Sequence, residues 1–373
     1  MNEPAFVVVF PSIFAKNKQA LLISNIKKIL KIQNQQFGTI TTDDELIIID
    51  ANDPVFASAA INQLFGVAQV SIARRVENKF NVIISAIAKI GTGLLLRGET
   101  FYVRVDGHST GYLPKDVEIA GTSALIEKVV DMDCKPGTET KHDKMIHCHL
   151  TGKNAYVSIF LEKGHGGIPY NSQEEQILCC VFDELSAISC LEAIKQGFDV
   201  RVLVCYTTDA NLMELVKMIN RIIPRLLSSS VTLDFCQIPV KQDSAKSLQQ
   251  KILVVSGVLC QLAKKHKIQR VCLSLSPLAF PIWLIEQNLS IVTKNKLIPW
   301  IALAGMDQSI IDTAKEIGLG KYLSRIEKFG SLKFSQSKVD VSGIILKAVK
   351  SHQTVTVKIG PNNIHDILDS LNH

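Results

Sequence analysis

Residues 177–205 read ILCCVFDELSAISCLEAIKQGFDVRVLVC. Two apolar runs in this stretch, Ile177–Phe182 and Val200–Cys205, have the length and the apolar content of buried strands. Between them, Leu185–Gln196 follows the spacing of a helix that buries one side. A strand, a helix and a second strand in this order are typical of a parallel sheet.

The same alternation continues to the C-terminal side of this stretch. Further strands are predicted at Val231–Pro239, Arg270–Leu275 and Ile298–Leu303, and further helices at Asn211–Ile222, Leu248–Lys265 and Ile310–Ile317. The Leu248–Lys265 helix contains several lysines, including Lys251, and these predict a charged helix surface. Lysines near its C-terminal end interact favourably with the helix dipole. The fold class is therefore α/β, and residues 166–373 are predicted to form a doubly wound, mostly parallel, Rossmann-like domain.

The N-terminal half has an α+β pattern and predicts two small domains. Residues 1–76 suit a ferredoxin-like domain with β-α-β-α-β order: strands at Ala5–Phe10, Leu46–Ile49 and Val67–Val76, and helices at Lys18–Leu30 and from Asp53-Pro54 to Phe65. Residues 77–165 suit a second domain: helices at Phe80–Ile90 and Lys115–Val130, and strands at Thr100–Val105, Met145–Leu150 and Tyr156–Leu161. A glycine- and proline-containing segment, Gly164–Pro169, is predicted to be a linker.

Composition narrows the class of protein. The chain is 47% hydrophobic and 20% charged, which suits packed cores and excludes disorder as the main state. The net charge of +6 is weak for its length. Nine cysteines without a CxxC pair predict buried, reduced thiols and a cytoplasmic protein, and no apolar stretch is long enough for a membrane span.

Several short motifs resemble one known family in their order and spacing. The middle domain resembles a THUMP domain, an RNA-binding module of tRNA-modifying enzymes. The chain as a whole resembles the ThiI-type tRNA 4-thiouridine synthetases, whose N-terminal domain is ferredoxin-like and whose catalytic domain contains a PP-loop. The resembling segments are Phe101-Tyr-Val-Arg-Val105, Asp116-Val-Glu118 and Gly121 for THUMP, then Phe10-Pro11 with Lys18–Lys31, Gly166-Gly-Ile-Pro169 and Gly305–Gly318.

The resemblance implies a nucleotide site that this sequence has changed. The family adenylates a tRNA uridine with ATP and replaces its oxygen with sulfur, and it holds ATP on a loop of Ser-Gly-Gly-x-Asp-Ser type. Glycines there let backbone N–H groups approach phosphate. The corresponding turn here is Val181, Phe182, Asp183, Glu184, Leu185 and Ser186, a degenerate nucleotide loop in which only the final serine remains. Asp183 and Glu184 are predicted to cap the following helix, with a new acid–base pair as the alternative.

Two further family features are missing from the sequence. A polar substrate-contacting stretch after the fourth strand is replaced by Leu275-Ser-Pro-Leu-Ala-Phe280. The family's sulfur-handling cysteine would fall within Tyr322–Lys333, near Gly330, yet no cysteine follows Cys272. A thiolate is the nucleophile in such chemistry, so its absence is a chemical objection to activity.

These features predict a non-catalytic, ThiI-like THUMP protein with no catalytic residue, cofactor or metal. It is expected to bind tRNA or another structured RNA weakly, or to assist a tRNA-modification system through a protein partner or as a homodimer, away from membranes. The alternatives are an active ATP-dependent sulfurtransferase with a divergent loop, in which ATP is the cofactor, and a protein-interaction scaffold. Candidate RNA contacts are Lys16, Lys18, Lys27, Lys28, Lys31, Arg74, Arg75, Arg104 and Lys115.

Charge and ion pairing argue against extensive RNA contact, and histidine spacing argues against a metal site. Residues 1–165 contain 18 Lys and Arg against 17 Asp and Glu, a net charge of only +1 in the half that resembles an RNA-binding protein. Arg104 is also expected to be an ion-pair partner at a strand edge. His147 and His149 fall on one face of a strand, but their spacing matches no zinc signature, so no metal is predicted.

Overall fold

The computed structural model describes residues 4–240, 245–316, 318–322, 331–336, 340–359 and 363–371. The chain divides into two compact units, Met1–Gly167 and Ile168–His373. Among the described residues, no helix combines the length and the apolar character needed to cross a membrane.

The N-terminal unit is built on one sheet of eight strands. Its elements are β1 (Ala5–Pro11), α1 (Gln19–Ile32), β2 (Phe37–Asp43), β3 (Leu46–Ala51), α2 (Pro54–Asn62), β4 (Val67–Glu77), α3 (Phe80–Leu94), β5 (Thr100–Gly107), α4 (Pro114–Val129), β6 (Lys135–Pro136), β7 (Lys144–Leu150) and β8 (Asn154–Gly166). The strand order is β2-β3-β1-β4-β8-β7-β5-β6. Pairing of β4 with β8 joins the two halves of the unit, and the predicted boundary between residues 76 and 77 stays a prediction.

The first four strands have the β-α-β-β-α-β order of a ferredoxin-like fold, with all their pairings antiparallel. The sequence prediction was wrong in omitting β2. That strand is threonine-rich, contains a glycine and has no fully buried residue, because it lies at the edge of the sheet. Without one buried face, a strand lacks the alternation by which strands are recognised.

A carboxylate ties the β2–β3 hairpin to the other half of the N-terminal unit. Oδ2 of Asp43 accepts hydrogen bonds from Thr151 (3.0 Å), Asn154 (2.8 Å) and the buried hydroxyl of Tyr156 (2.6 Å). Burial is the largest single influence on the pKa of Asp43 and raises it, but the three hydrogen bonds oppose burial, and the pKa is lowered overall. The hairpin and the β7–β8 turn are therefore joined by a partly buried polar network.

The C-terminal unit is an α/β domain. Its elements are β9 (Gln176–Val181), α5 (Glu184–Lys195), β10 (Asp199–Tyr206), α6 (Asp209–Ile222), β11 (Ser230–Gln237), α7 (Ala245–Lys265), β12 (Arg270–Cys272), α8 (Ile282–Lys294), β13 (Ile298–Trp300), α9 (Gln308–Glu316), α10 (Ser342–Lys350), β14 (Gln353–Lys358) and α11 (Asn363–Leu371). The sheet order is β13-β12-β9-β10-β11-β14, and only the β11–β14 pairing is antiparallel. The predicted mostly parallel α/β fold is confirmed.

The sequence prediction missed α8, α10, β14 and α11. Helix α8 begins directly after Pro281 within an apolar stretch, where a strand and a helix are hard to tell apart by periodicity. The predicted linker Gly164–Pro169 was wrong at its start, because β8 continues to Gly166 and pairs there with Val67. The nine cysteines are all buried free thiols, as the sequence predicted.

Candidate nucleotide and RNA sites

The degenerate loop lies where β9 ends and α5 begins. In open α/β sheets, ligands bind beyond the carboxyl ends of the strands, so this is the position at which the fold would receive a nucleotide. Here the six side chains from Val181 to Ser186 are at most 7% exposed. The loop therefore presents little of its own surface to a ligand.

The backbone of this loop is hydrogen-bonded internally. Oδ1 of Asp183 accepts from the backbone N–H of Ser186 (2.8 Å). Oγ of Ser186 accepts from the backbone N–H groups of Phe182 and Asp183, both at 2.8 Å, and donates to the carbonyl of Asp183. N–H groups at the start of a helix are the donors that bind phosphate in nucleotide loops, and three of them are used within the turn.

The predicted capping role is confirmed for Asp183, which is the N-cap of α5. Glu184 was predicted to precede the helix, but it is the first helical residue and contributes an acidic charge to the first turn. A negative charge there is favourable with the helix dipole. Carboxylates in these positions repel a phosphate group, by about 1 kcal/mol at roughly 4 Å even in water.

A buried lysine completes the loop. Lys251 of α7 is 1% exposed, its Nζ donates to the carbonyl of Phe182 at 3.0 Å, and its ammonium lies 5.4 Å from the centre of the Phe182 ring. The prediction that Lys251 lies on a charged surface was wrong. The available signal was its position beside Ile252–Val255, where an apolar run on a helix indicates the buried side.

Burial changes the proton affinities of the two charged groups in this cluster. It raises the pKa of Asp183 to about 6, while the nearby Lys251 charge and the bonds from Ser186 act in the opposite direction. Burial also lowers the pKa of Lys251, with Asp183 opposing that change. Each charge thus opposes the pKa shift that burial causes in the other group.

The other altered family segments fall partly within the described structure. Leu275-Ser-Pro-Leu-Ala-Phe280 forms a turn in which Ser276 is buried and accepts two backbone hydrogen bonds, while Leu278 is 68% exposed. The predicted region of the missing cysteine, Tyr322–Lys333, includes residues 323–330, which lie outside the described residues.

The candidate RNA-binding residues are spread over several elements of the N-terminal unit. Arg74 and Arg75 lie on β4 and Arg104 on β5, and β8 and β7 separate those two strands. Lys27 and Lys31 are one turn apart on α1, and both are exposed together with Lys28. The α1 lysines are therefore the candidates that the structure brings together.

Several of the remaining candidates are engaged within the protein. Lys16 pairs with Glu45 at 2.6 Å, Lys115 pairs with Glu118, and the guanidinium of Arg75 lies 4.8 Å from the centre of the Phe6 ring. Lys18 and Arg74 also have partners. These contacts reduce the charge that is free for phosphate.

Arg104 has the ion-pair role that the sequence predicted. It contacts Asp106 at 3.1 Å and Glu139 at 2.9 Å. Nε2 of His147 lies 3.1 Å from the same Asp106 carboxylate, and this contact is the largest cause that lowers the pKa of Asp106 to about 2. Burial lowers the pKa of His149 to about 4. In the described part of the chain, neither histidine belongs to a group of three metal-binding side chains.

Comparison with known proteins places the chain near one group. It is 26% identical over 201 residues to a probable tRNA sulfurtransferase of Methanosarcina acetivorans, covering 52% of this chain and 48% of that protein. It is 23% identical over 194 residues to the probable tRNA sulfurtransferase of Methanosarcina mazei, covering 51% and 47%. The chain thus spans about half the length of these curated relatives. No family model matches it.

Two solved structures share the fold. One is a 4-thiouridine synthetase–RNA complex with bound ATP, with a TM-score of 0.64 and 12% identity over 95% of this chain and 100% of that chain. The other is PH1313 from Pyrococcus horikoshii, with a TM-score of 0.61 and 18% identity over 84% and 99%. The chain is therefore ThiI-like: it resembles the tRNA sulfurtransferases in sequence and the 4-thiouridine synthetases in fold.

Proposed function

We propose that this chain is a non-catalytic ThiI-like protein that binds tRNA or another structured RNA weakly and holds no ATP. The observation that carries the proposal is the filled loop at the start of α5. Its N–H groups are bonded to Asp183 and Ser186, and Lys251 is bonded to its carbonyl. A nucleotide would have to replace bonds that the loop already makes within a buried cluster.

The state of the cysteines supports the absence of sulfur transfer. Such a reaction needs a thiolate that the substrate can reach. All nine cysteines are buried, and none follows Cys272 in the sequence. Burial raises the pKa of Cys260 to about 11 and that of Cys148 far above its usual value. A buried thiol with a raised pKa is a poor nucleophile. A hydrogen bond with Cys179 lowers the pKa of Cys272, but the Cys272 side chain is completely buried and a substrate cannot reach it.

A role in RNA binding is supported by relatives and by one helix face. One structure of the same fold was solved with RNA. On this chain, the exposed Lys27, Lys28 and Lys31 supply a local positive surface within a half whose net charge is only +1. Few phosphate contacts mean weak, salt-sensitive binding, because counterion release dominates nucleic-acid affinity.

A thiolation assay tests the catalytic part of the proposal. Purified protein is incubated with unmodified tRNA, ATP–Mg and a persulfide sulfur donor, and 4-thiouridine is measured by its absorbance and by mass spectrometry of the digested tRNA. We expect no 4-thiouridine above the level without protein. Turnover that depends on ATP would contradict the proposal and favour the divergent active enzyme.

A gel-shift titration with bulk tRNA at low and at physiological salt tests the RNA part. We expect a shift at low salt that weakens as salt rises, and charge reversal at Lys27, Lys28 and Lys31 should reduce both the affinity and its salt dependence. The matched control reverses three exposed lysines of the other unit: Lys294, Lys347 and Lys350. No shift at low salt would reject RNA binding and favour the scaffold, and equal effects of both triple variants would remove α1 from the RNA contact.

A further inference from the structure

Three potential metal ligands from distant parts of the sequence meet beside the edge strand β14. Asp234 lies on β11, His266 directly follows α7, and His352 directly precedes β14. One ligand atom from each lies within 4.8 Å of the other two, and in the described part of the chain this is the group of three with that property. The cluster shares no residue with the nucleotide loop or with the candidate RNA contacts.

The ligand atoms of the three side chains are close enough to share a single ion. Nε2 of His352 lies 2.9 Å from Oδ1 of Asp234, and Nε2 of His266 lies 3.4 Å from Oδ2. In a tetrahedral zinc site with bonds of about 2 Å, neighbouring ligand atoms are roughly 3.3 Å apart. Two imidazole nitrogens and a carboxylate oxygen form a donor set that zinc and related divalent transition metals accept.

His266 provides the clearest sign of an unmet bonding need. Its Nε2 is buried and makes no hydrogen bond among the described residues, although it is directed toward Asp234. A buried imidazole nitrogen without a partner is destabilising, and coordination would satisfy it.

The surrounding groups hold the carboxylate and also oppose an ion. Arg201 contacts both oxygens of Asp234, at 2.6 and 3.2 Å, and Thr354 donates to Oδ1 at 2.8 Å. Outer contacts of this kind orient a ligating carboxylate. The charge of Arg201 weakens cation binding. Lys265 lies 3.0 Å from Nδ1 of His352, but it is exposed and can turn into solvent when that nitrogen carries the proton.

We propose that Asp234, His266 and His352 bind one divalent transition-metal ion of the zinc class, with water completing the coordination. The ion joins β11, the end of α7 and the start of β14, and therefore fastens the antiparallel edge strand to the parallel sheet. Its role is structural, because it links three elements of the C-terminal unit.

Titration of tag-free, chelator-treated protein with Zn²⁺ and with Co²⁺ tests this site. Calorimetry should give one equivalent of bound Zn²⁺, Co²⁺ should develop the visible absorption of tetrahedral coordination, and Zn²⁺ should raise the thermal unfolding midpoint. His266→Ala and the shape-conserving His352→Asn should each weaken binding by about tenfold or more. His108→Ala, an exposed histidine of the other unit, is the matched control.

Several results of these titrations would overturn the proposed metal site. Wild-type protein that binds neither ion, or binding that both cluster variants leave unchanged, would overturn the proposal. If a variant fails to fold, the Co²⁺ spectrum of the wild type still decides, because an octahedral spectrum or no spectrum excludes the site. Binding should also weaken as the solution is acidified, because protons compete with the metal ion for imidazole nitrogens.

Discussion

Lys251 and Asp183 bring opposite charges into the interior of the C-terminal unit, beside the turn that begins α5. Each interacts with that turn, Asp183 as its cap and Lys251 through the carbonyl of Phe182. The capping role of Asp183 could be predicted because an acidic residue stands at the end of an apolar run, before a helical pattern. The role of Lys251 could not, since it depends on a tertiary contact 69 residues away.

Replacing these two residues tests whether they act together. Lys251→Met should destabilise the protein by about 3 kcal/mol, because it removes the hydrogen-bond donor to the Phe182 carbonyl and the positive charge that offsets the buried Asp183 carboxylate. Asp183→Asn keeps the cap and should cost less. In urea unfolding, the double variant should be more stable than the sum of the single effects predicts. Strict additivity would show that the two side chains are not coupled.

Glu192 on α5 predicts a pH dependence of stability. Burial raises its pKa to about 7, although Lys195 lies 3.8 Å away. The folded state thus binds this proton more tightly than the unfolded state. The resulting stability is present at low pH and is lost as pH rises through 7, with about 1 kcal/mol lost between about pH 6 and 8.

Glu192→Gln should remove this loss, so the variant should gain stability relative to the wild type as pH rises. Urea unfolding at about pH 6 and about pH 8 measures the change. Glu214→Gln, at a partly exposed position of α6, is the control and should leave the pH dependence largely unchanged. A Glu192→Gln variant with the wild-type pH profile would show that this carboxyl titrates normally.

At the scale of elements, buried strands and capped helices were predictable, and edge elements were not. The β9–α5–β10 stretch was recognised because its apolar runs are long and its helix has a cap. Strand β2 was missed because its exposed edge position leaves no apolar face. Strand β14 was missed because only two of its residues are buried, Val355 and Val357. Its pairing with β11 depends on tertiary contacts that local spacing does not report.

The contacts of Asp43 predict that the β2–β3 hairpin contributes to the stability of the whole N-terminal unit. Asp43→Ala would leave the hydroxyl of Tyr156, which is 1% exposed, without this acceptor, together with Thr151 and Asn154. We expect a loss of about 2–3 kcal/mol in the free energy of unfolding. Asp50→Ala, at an exposed position on β3, should change it by less than about 0.5 kcal/mol. Equal effects of the two variants would contradict the role of the network.

At the scale of the molecule, most of the net positive charge lies in the C-terminal part of the chain, which contains none of the candidate RNA contacts. Residues 1–165 carry a net charge of +1, and the remaining residues carry +5 of the total of +6. The sequence was sufficient to predict the mostly parallel α/β fold of the C-terminal half and the ThiI-like character of the chain. It could not show that Lys251 donates to the Phe182 carbonyl, because that bond joins the turn to a distant helix. Because the hydrogen-bonded loop would have to open to hold a nucleotide, ATP binding is the property that best tests the proposed loss of function.

Calorimetric titration of the whole chain with ATP–Mg²⁺ tests that central claim most directly. We expect no heat of binding at physiological nucleotide concentrations, because the side chains of Asp183 and Ser186 already accept hydrogen bonds from the loop N–H groups and Lys251 already donates to the Phe182 carbonyl. Saturable binding of one ATP with micromolar affinity, lost when Phe182 is replaced by aspartate, would contradict it.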